Sequence, residues 1–366
     1  MGRPHVAAFT DTYLPTVNGV TYTVQSWRDR YTGRGGEMDV VYPRADGYTP
    51  GPDEHPVTSV DFPFYDGYRL GLPRLPAAVR DATVVHTHTP FGVGLAGLRL
   101  ARANDARLVA SYHTPTSEYA EYLLPTDLGV ETLRWTTRKY ERWFFDHADV
   151  VLAPSAVTRD HVRRLGVDTP VEVLPNGVDT DLFEPVDPTG FCARFDLPAD
   201  KPLVGYTGRH GYEKRLHTIL EAAAGLDVAV VFGGSGPATA DLEARATDLD
   251  VDAHFLGFLD RGDLPAFYSA LDVLAFPSPV ETQGLVALEA NACGTPVVGA
   301  DSGALADTVD DGETGYRFPT GDVPALREAI QAALTDQAQL RDTCLDRRST
   351  IGIDEAVDRL ETVYDG

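Results

Sequence analysis

Four short stretches of this 366-residue chain hold side chains whose types and spacing could do chemistry. The longest is ETQGLVALEANACGTPVV, which starts at Glu281. It follows the apolar run LDVLAFPS and opens a helical pattern near Gly284. The backbone N–H groups of Gln283, Gly284 and Leu285 are therefore expected at a helix start. Such a start offers unpaired donors and the positive end of a helix dipole, which suits phosphate or sugar oxygens. Glu281, just ahead of it, could accept bonds from sugar hydroxyls, and Glu289, one turn beyond Leu285, from a ribose. The plainer alternative makes Glu281 a helix cap and Glu289 a solvated position, but the surrounding pattern favours the ligand.

The second stretch is GRHGYEK, from Gly208, after the run PLVGYTG. A leaving diphosphate gathers negative charge, and its transition state is stabilised by positive groups already in place. Arg209 supplies a bidentate fork and Lys214 a point charge, a pair that needs no metal. The third is TVNGV, where Gly19 lets backbone approach a ligand closely behind Asn18. The fourth is SYHT, which puts His113 at the carboxyl end of a strand, where it could bond a sugar hydroxyl or support the reacting centre. Taken singly, an Asn-Gly turn and a lone histidine are more often structural. Their company here is what raises them.

Short apolar, β-branched runs alternating with longer helical patterns must position these groups, which indicates α/β domains with parallel sheets. The first half has HVAAFTD from His5, MDVVYPR from Met38, ATVVHTH from Ala82, RLVASYH from Arg107, DVVLAPS from Asp149 and VEVLPN from Val171. The second has PLVGYTG from Pro202, LDVAVVFGG from Leu226, DAHFLGF from Asp252, LDVLAFPS from Leu271 and TPVVGADS from Thr295. A stretch rich in Pro and Asp divides them. The expected organisation is a first domain over 1–184, a linker over 185–201, a second domain over 202–352, and a C-terminal helix over about 353–366. Two doubly wound, Rossmann-like domains facing across a cleft would bind ligands outside the carboxyl ends of their strands.

Charge narrows the field. The net charge is −24, and only Lys139, Lys201 and Lys214 of the 31 basic residues are lysine. A negative field of that size repels nucleic acid. At about 1 M salt the screening length falls to about 3 Å, so an acidic, lysine-poor chain suits a salt-filled cytoplasm. Three scattered cysteines, Cys192, Cys293 and Cys344, point to a reduced compartment without a disulfide framework or zinc site. No long apolar run reads as a signal peptide or membrane span.

Together the four stretches resemble glycosyltransferase family 4, the retaining nucleotide-sugar transferases of GT-B fold, over nearly the whole chain. The likeness is strongest over 281–298 and 208–214, with support at Asn18, Gly19, His113 and the run Asn176, Gly177, Val178, Asp179. It implies that Arg209 and Lys214 bind the donor diphosphate, and that Glu281 with the amides of Gln283, Gly284 and Leu285 holds sugar and phosphate. Glu289 would take the ribose, backbone at Phe258 and Leu259 the base, Gly19 a phosphate, and His113 the transferred sugar. The family often has an aromatic residue where this chain has Gln283. It also implies that the C-terminal helix packs back on the first domain. The reaction expected is hexosyl transfer from a UDP- or GDP-hexose without cofactor or metal, the leaving phosphate taking the acceptor's proton. Asp179 and Asp181 form a DxD-like pair that reads as a loop without metal. Rivals are a nucleotide-sugar epimerase and a sensor with a degraded site.

For the acceptor, the runs FTDTYLPTVNGV and SYHTPTSEY resemble the branch that glycosylates lipids, including diacylglycerol glucosyltransferases and lipid-anchor mannosyltransferases. A soluble sugar or sugar phosphate stays open. Arg134, Trp135, Arg138, Lys139, Tyr140, Arg142, Trp143, Phe144 and Phe145 form a basic, aromatic helix suited either to a membrane interface or to burial against the sheet. Arg69, Arg74 and Arg80, with Leu70, Leu72 and Leu75, are a weaker second candidate. The location expected is cytoplasmic, peripheral on the inner face of the cell membrane.

Overall fold

The computed structural model describes residues 2–61, 69–113 and 127–366, with the backbone alone for 127–130. The chain forms two compact units, 1–177 with 353–366, and 178–352.

In the first unit, seven parallel strands form one sheet: β1 (His5–Phe9), β2 (Glu37–Pro43), β3 (Glu54–Val57), β6 (Val84–Thr87), β7 (Arg107–Ser111), β8 (Val150–Ala153) and β9 (Val171–Val173), in the order β3-β2-β1-β6-β7-β8-β9. A small antiparallel pair, β4 (Ser59–Asp61) and β5 (Arg69–Gly71), stands apart. Parallel strands covered on both faces read as unbroken apolar runs rather than alternating ones. Successive residues here enter two cores. Ala7, Phe9, Val41, Val85 and Ala110 pack with the helix Gly92–Asn104 and with Phe144 and Phe145. Val6, Ala8, Val40, Val84 and Val109 pack with Trp27 and Tyr31 of the helix Gly19–Gly33, and with Val357, Leu360 and Tyr364 of the helix Ile353–Asp365. Arg34 ties those two helices at their surface through Asp354 and Asp358.

In the second unit, six parallel strands run β10 (Leu203–Thr207), β11 (Ala229–Gly233), β12 (Ala253–Gly257), β13 (Val273–Phe276), β14 (Val297–Ala300) and β15 (Gly315–Phe318), in the order β12-β11-β10-β13-β14-β15. In each sheet the strand order reverses once, between β1 and β6 and between β10 and β13. Ligands of such sheets bind at the carboxyl ends of those strands.

Two features depart from the sequence reading. Residues 178–201 belong to the second unit, so its boundary falls at 177/178 rather than at 184. Phe183, Phe191 and Leu197 are buried in that unit's core, and a helix, Thr189–Arg194, occupies the stretch expected as linker. In addition, β3, β4, β5 and β15 carry too few apolar residues in a row to announce themselves.

Candidate active site

The second sheet brings together groups far apart in sequence. Residues 208–214 leave the carboxyl end of β10 and residues 277–284 leave that of β13, on the two sides of the strand reversal. Lys214 Nζ donates to Glu281 Oε1 at 2.6 Å, with both side chains largely enclosed. Arg209 donates to Glu213 Oε1 at 2.9 Å, and its side chain is 45% exposed. Glu281 is not a helix cap. The helix Leu285–Ala292 is preceded by its N-cap residue Gly284 at φ 78°, and Glu281 Oε1 instead accepts from Lys214. A left-handed φ is one that glycine adopts without a Cβ penalty, and a Cβ there would lie 2.8 Å from Leu305 Cδ2. Ser302 Oγ and the backbone N–H of Ala304 donate to Pro279 O and Glu281 O, fixing the loop that carries Glu281.

Glu289, on that helix, accepts from the Tyr268 hydroxyl at 2.8 Å, so it is not a freely solvated position. Loss of solvent pushes its carboxyl up to about 7, although the Tyr268 bond and the Arg261 charge pull the other way. Gln283 is buried and its carbonyl accepts from Thr308 Oγ1 at 2.5 Å. Beyond β12, Phe258 is 63% exposed whereas Leu259 is buried.

The glycines after β11 support the Arg209 loop. A Cβ on Gly234 would meet Gly208 O at 2.0 Å, and one on Gly236 would meet His210 O at 2.5 Å. The two loops are joined where His210 N donates to Ser235 O, and the buried His210 ring bonds Thr239. The GGSG run therefore serves close backbone packing.

In the first unit, Gly19 opens the helix Gly19–Gly33, and Asn18 Oδ1 caps it by accepting from Thr21 N at 2.9 Å. Asn18 and Gly19 are exposed, so this segment is a capped helix start rather than an open turn. His113 follows β7 and is 9% exposed. Thr114 to Tyr119, the rest of its run, lie outside the described residues. Burial brings His113 down to about 4, so its ring is neutral at physiological pH. At the strand reversal, Asp11 accepts from Thr89 Oγ1 at 2.7 Å and from the N–H groups of Val93 and Gly94, and burial lifts its carboxyl to about 6. Asp11 thereby caps the helix Gly92–Asn104, whose own N-cap residue makes no side-chain bond.

The comparisons with known proteins bear on these groups. A family model for "Glycosyltransferase Family 4" matches residues 17–182, and one for "Glycosyl transferases group 1" matches residues 193–347. A GDP-mannose-dependent alpha-mannosyltransferase of Mycobacterium tuberculosis is 31% identical over 95% of this chain and 92% of the relative. The chain belongs to glycosyltransferase family 4. This glycosyltransferase is also similar to an alpha-monoglucosyldiacylglycerol synthase of Streptococcus pneumoniae, 26% identical over 84% of the chain and 73% of that protein. Sucrose-phosphate synthase from Thermosynechococcus elongatus shares its fold, with a TM-score of 0.79 at 23% identity over 99% and 98% of the two chains. Both units thus form a GT-B architecture, and nothing in these relatives supports an epimerase.

Some residues of this glycosyltransferase escaped the sequence reading. His86 and His88 lie inside a run that reads as plain strand, and Tyr364, which bonds His86, comes from the far end of the chain. Among the described residues, one group of three or more side chains is placed to share a metal ion: His5, Glu37 and Asp39. They lie at or near the amino ends of β1 and β2, away from the ligand edge. The basic, aromatic helix, Asp127–Phe145, divides its aromatics. Phe144 and Phe145 enter the core, while Trp135 and Trp143 are 58% and 44% exposed. Lys139 Nζ lies 3.9 Å above the Trp135 ring. In the weaker candidate, Arg69 pairs with Asp61 and Leu72 is exposed. Among the described residues no helix is long and apolar enough to cross a membrane.

Proposed function

We propose that this enzyme moves a hexose, with retention of configuration and without metal, from a nucleoside diphosphate donor to a membrane lipid or lipid-linked glycan. The observation that carries the reading is the Lys214–Glu281 pair at the strand reversal of the second sheet. Lys214 and Arg209 take the diphosphate and stabilise the charge that grows as it leaves. Glu281 accepts from hydroxyls of the transferred sugar, beside the N–H groups of Gln283, Gly284 and Leu285. Glu289 takes the ribose, and backbone at Phe258 and Leu259 takes the base. In the first unit Gly19 approaches a phosphate, and His113, being neutral, serves a sugar hydroxyl as hydrogen-bond partner. The departing phosphate oxygen receives the acceptor's proton, so no separate base is needed.

A lipid acceptor is supported by the diacylglycerol-acting relative and by the exposed Trp135 and Trp143. Those rings would enter the headgroup region of the inner leaflet from the cytoplasm. The net charge of −24 with three lysines supports work in molar salt, where aromatic insertion outlasts attraction to anionic lipid. A soluble phosphorylated acceptor is favoured by one relative, a D-inositol 3-phosphate glycosyltransferase of Catenulispora acidiphila, 33% identical over 81% of this chain and 74% of that protein. The test is incubation with labelled GDP-mannose or UDP-glucose and a membrane lipid extract in molar KCl. Label in the organic phase supports the lipid reading. Label passing only to added inositol phosphate overturns it.

A further inference from the structure

The sheet of the first unit holds three histidines in contact. His86 and His88 stand on and just beyond β6, and His113 just beyond the neighbouring β7. His88 Nδ1 and His113 Nε2 are 3.1 Å apart, and their rings lie nearly parallel, with centroids 5.3 Å apart and 12° between planes. The His86 ring lies against that of His88, tilted by 30° with centroids 4.1 Å apart, and is itself held at both nitrogens. Nδ1 meets the Tyr364 hydroxyl and Nε2 the Ser111 hydroxyl, each at 2.8 Å. Trp27 packs against all three rings, and its Nε1 is anchored on Asn176 O at 2.7 Å. The backing of His88 is thus rigid, built from β6, β7, the helix Gly19–Gly33 and the C-terminal helix.

We propose that His88 is a positioning residue for sugar transfer, its ring-to-ring hydrogen bond fixing the orientation and tautomer of His113 so that Nδ1 of His113 is left to meet a hydroxyl. The inference deepens the role of His113 given above and rests on that reading. Two neutral imidazoles joined nitrogen to nitrogen share one proton, so one ring donates and the other accepts. All three rings are held neutral by burial, which pulls His86 and His88 well below the ordinary histidine range. If His88 Nδ1 carries the shared proton, His113 Nδ1 must carry its own and donate. If His113 Nε2 carries it, His113 Nδ1 is an acceptor. Either way the outer nitrogen of His113 has one defined role, set by its partner. Among the described residues no other hydrogen bond restrains the His113 ring. A ring released from such a bond can rotate and exchange tautomers, and a misplacement of about 1 Å near a reacting centre costs on the order of 10²-fold in rate.

The test uses the full chain labelled with ¹⁵N-histidine, with His88→Leu, His88→Asn and His113→Ala compared in molar KCl. Two-bond nitrogen–proton spectra report the tautomer of His113 without any substrate. The expected result is one tautomer in the wild type, an averaged signal in His88→Leu, and a single tautomer again in His88→Asn, whose amide can reach the same ring atom. With labelled GDP-mannose or UDP-glucose and lipid extract, kcat should fall on the order of 10²-fold in His88→Leu. It should recover in His88→Asn, with donor KM little changed. An unchanged His113 tautomer in His88→Leu would overturn the proposal whatever the activity. So would an equal loss of kcat in the two His88 variants. If His113→Ala retains full activity, the reading of His113 itself fails, and the spectra show separately whether His88 still governs its ring.

Discussion

Lys214 Nζ lies 2.6 Å from Glu281 Oε1, across the pair of strands at which the second sheet reverses its order. Sixty-seven residues separate them in the chain, yet each leaves the carboxyl end of one of two adjacent parallel strands. An ammonium with three donors can keep that carboxylate and still receive phosphate oxygens. The same bond aims the carboxylate, so a single contact orders the groups intended for both the phosphate and the sugar.

Removing the carboxylate charge should separate those duties. Glu281→Gln should lower kcat on the order of 10²-fold, as loss of one preorganised polar contact does. Affinity for GDP or UDP alone should hold or rise, because Lys214 loses a competitor for phosphate. Steady-state kinetics beside calorimetry of the free nucleotide checks this. A parallel loss of nucleotide binding would place Glu281 in the phosphate site instead.

Glu289 should give donor binding a pH dependence near neutrality. Its carboxyl is raised to about 7, so it is mostly ionised at pH 8 and mostly protonated at pH 6. Only the ionised form accepts bonds at both oxygens. Affinity for the nucleoside diphosphate should therefore fall about tenfold from pH 8 to pH 6, following the ionised fraction. Glu289→Gln should flatten that profile. A wild-type profile equally flat would remove Glu289 from the ribose site.

Much of this arrangement is legible in the sequence, and what is not has a physical cause. Strands such as β10 and β13 are buried on both faces and so appear as unbroken apolar runs. Gly284 marks the helix start because its backbone conformation favours glycine. By contrast, the helix around Phe191 is six residues long and sits among Pro and Asp, so the segment resembles a linker although its aromatics are buried. The partners of Lys214 and His88 are fixed by strand order, which no local pattern reports. His86 and His88 occupy positions that apolar periodicity assigns to core, and they are indeed buried. Only the juxtaposition with His113 and Tyr364 gives them a chemical meaning.

Transfer should survive chelation. On the proposed reading, Lys214 and Arg209 supply the positive charge that a divalent ion provides in metal-dependent transferases. Excess EDTA should leave the rate within about twofold of the control. Complete loss, restored by Mg²⁺ or Mn²⁺, would contradict this.

The exposed tryptophans give a membrane test that salt does not obscure. Burial of an aromatic ring is non-polar and persists in molar KCl, whereas attraction of lysine and arginine to anionic lipid is screened. Wild-type protein should float with phosphatidylglycerol vesicles in molar KCl. Trp135→Ala with Trp143→Ala should stay in the dense fraction at unchanged melting temperature. Equal flotation of both would assign the rings another purpose.

The most direct measurement is calorimetric titration of GDP and UDP into wild-type protein and into Lys214→Ala, in molar KCl. A partly enclosed charge is screened less than an exposed one, so its contribution should remain visible in that salt. One of the two nucleotides should bind with 1:1 stoichiometry, and the substitution should weaken it at least about tenfold, the scale of a lost charge-assisted bond, in a protein that circular dichroism shows is still folded. Equal affinity in the two proteins would show that the diphosphate lies elsewhere.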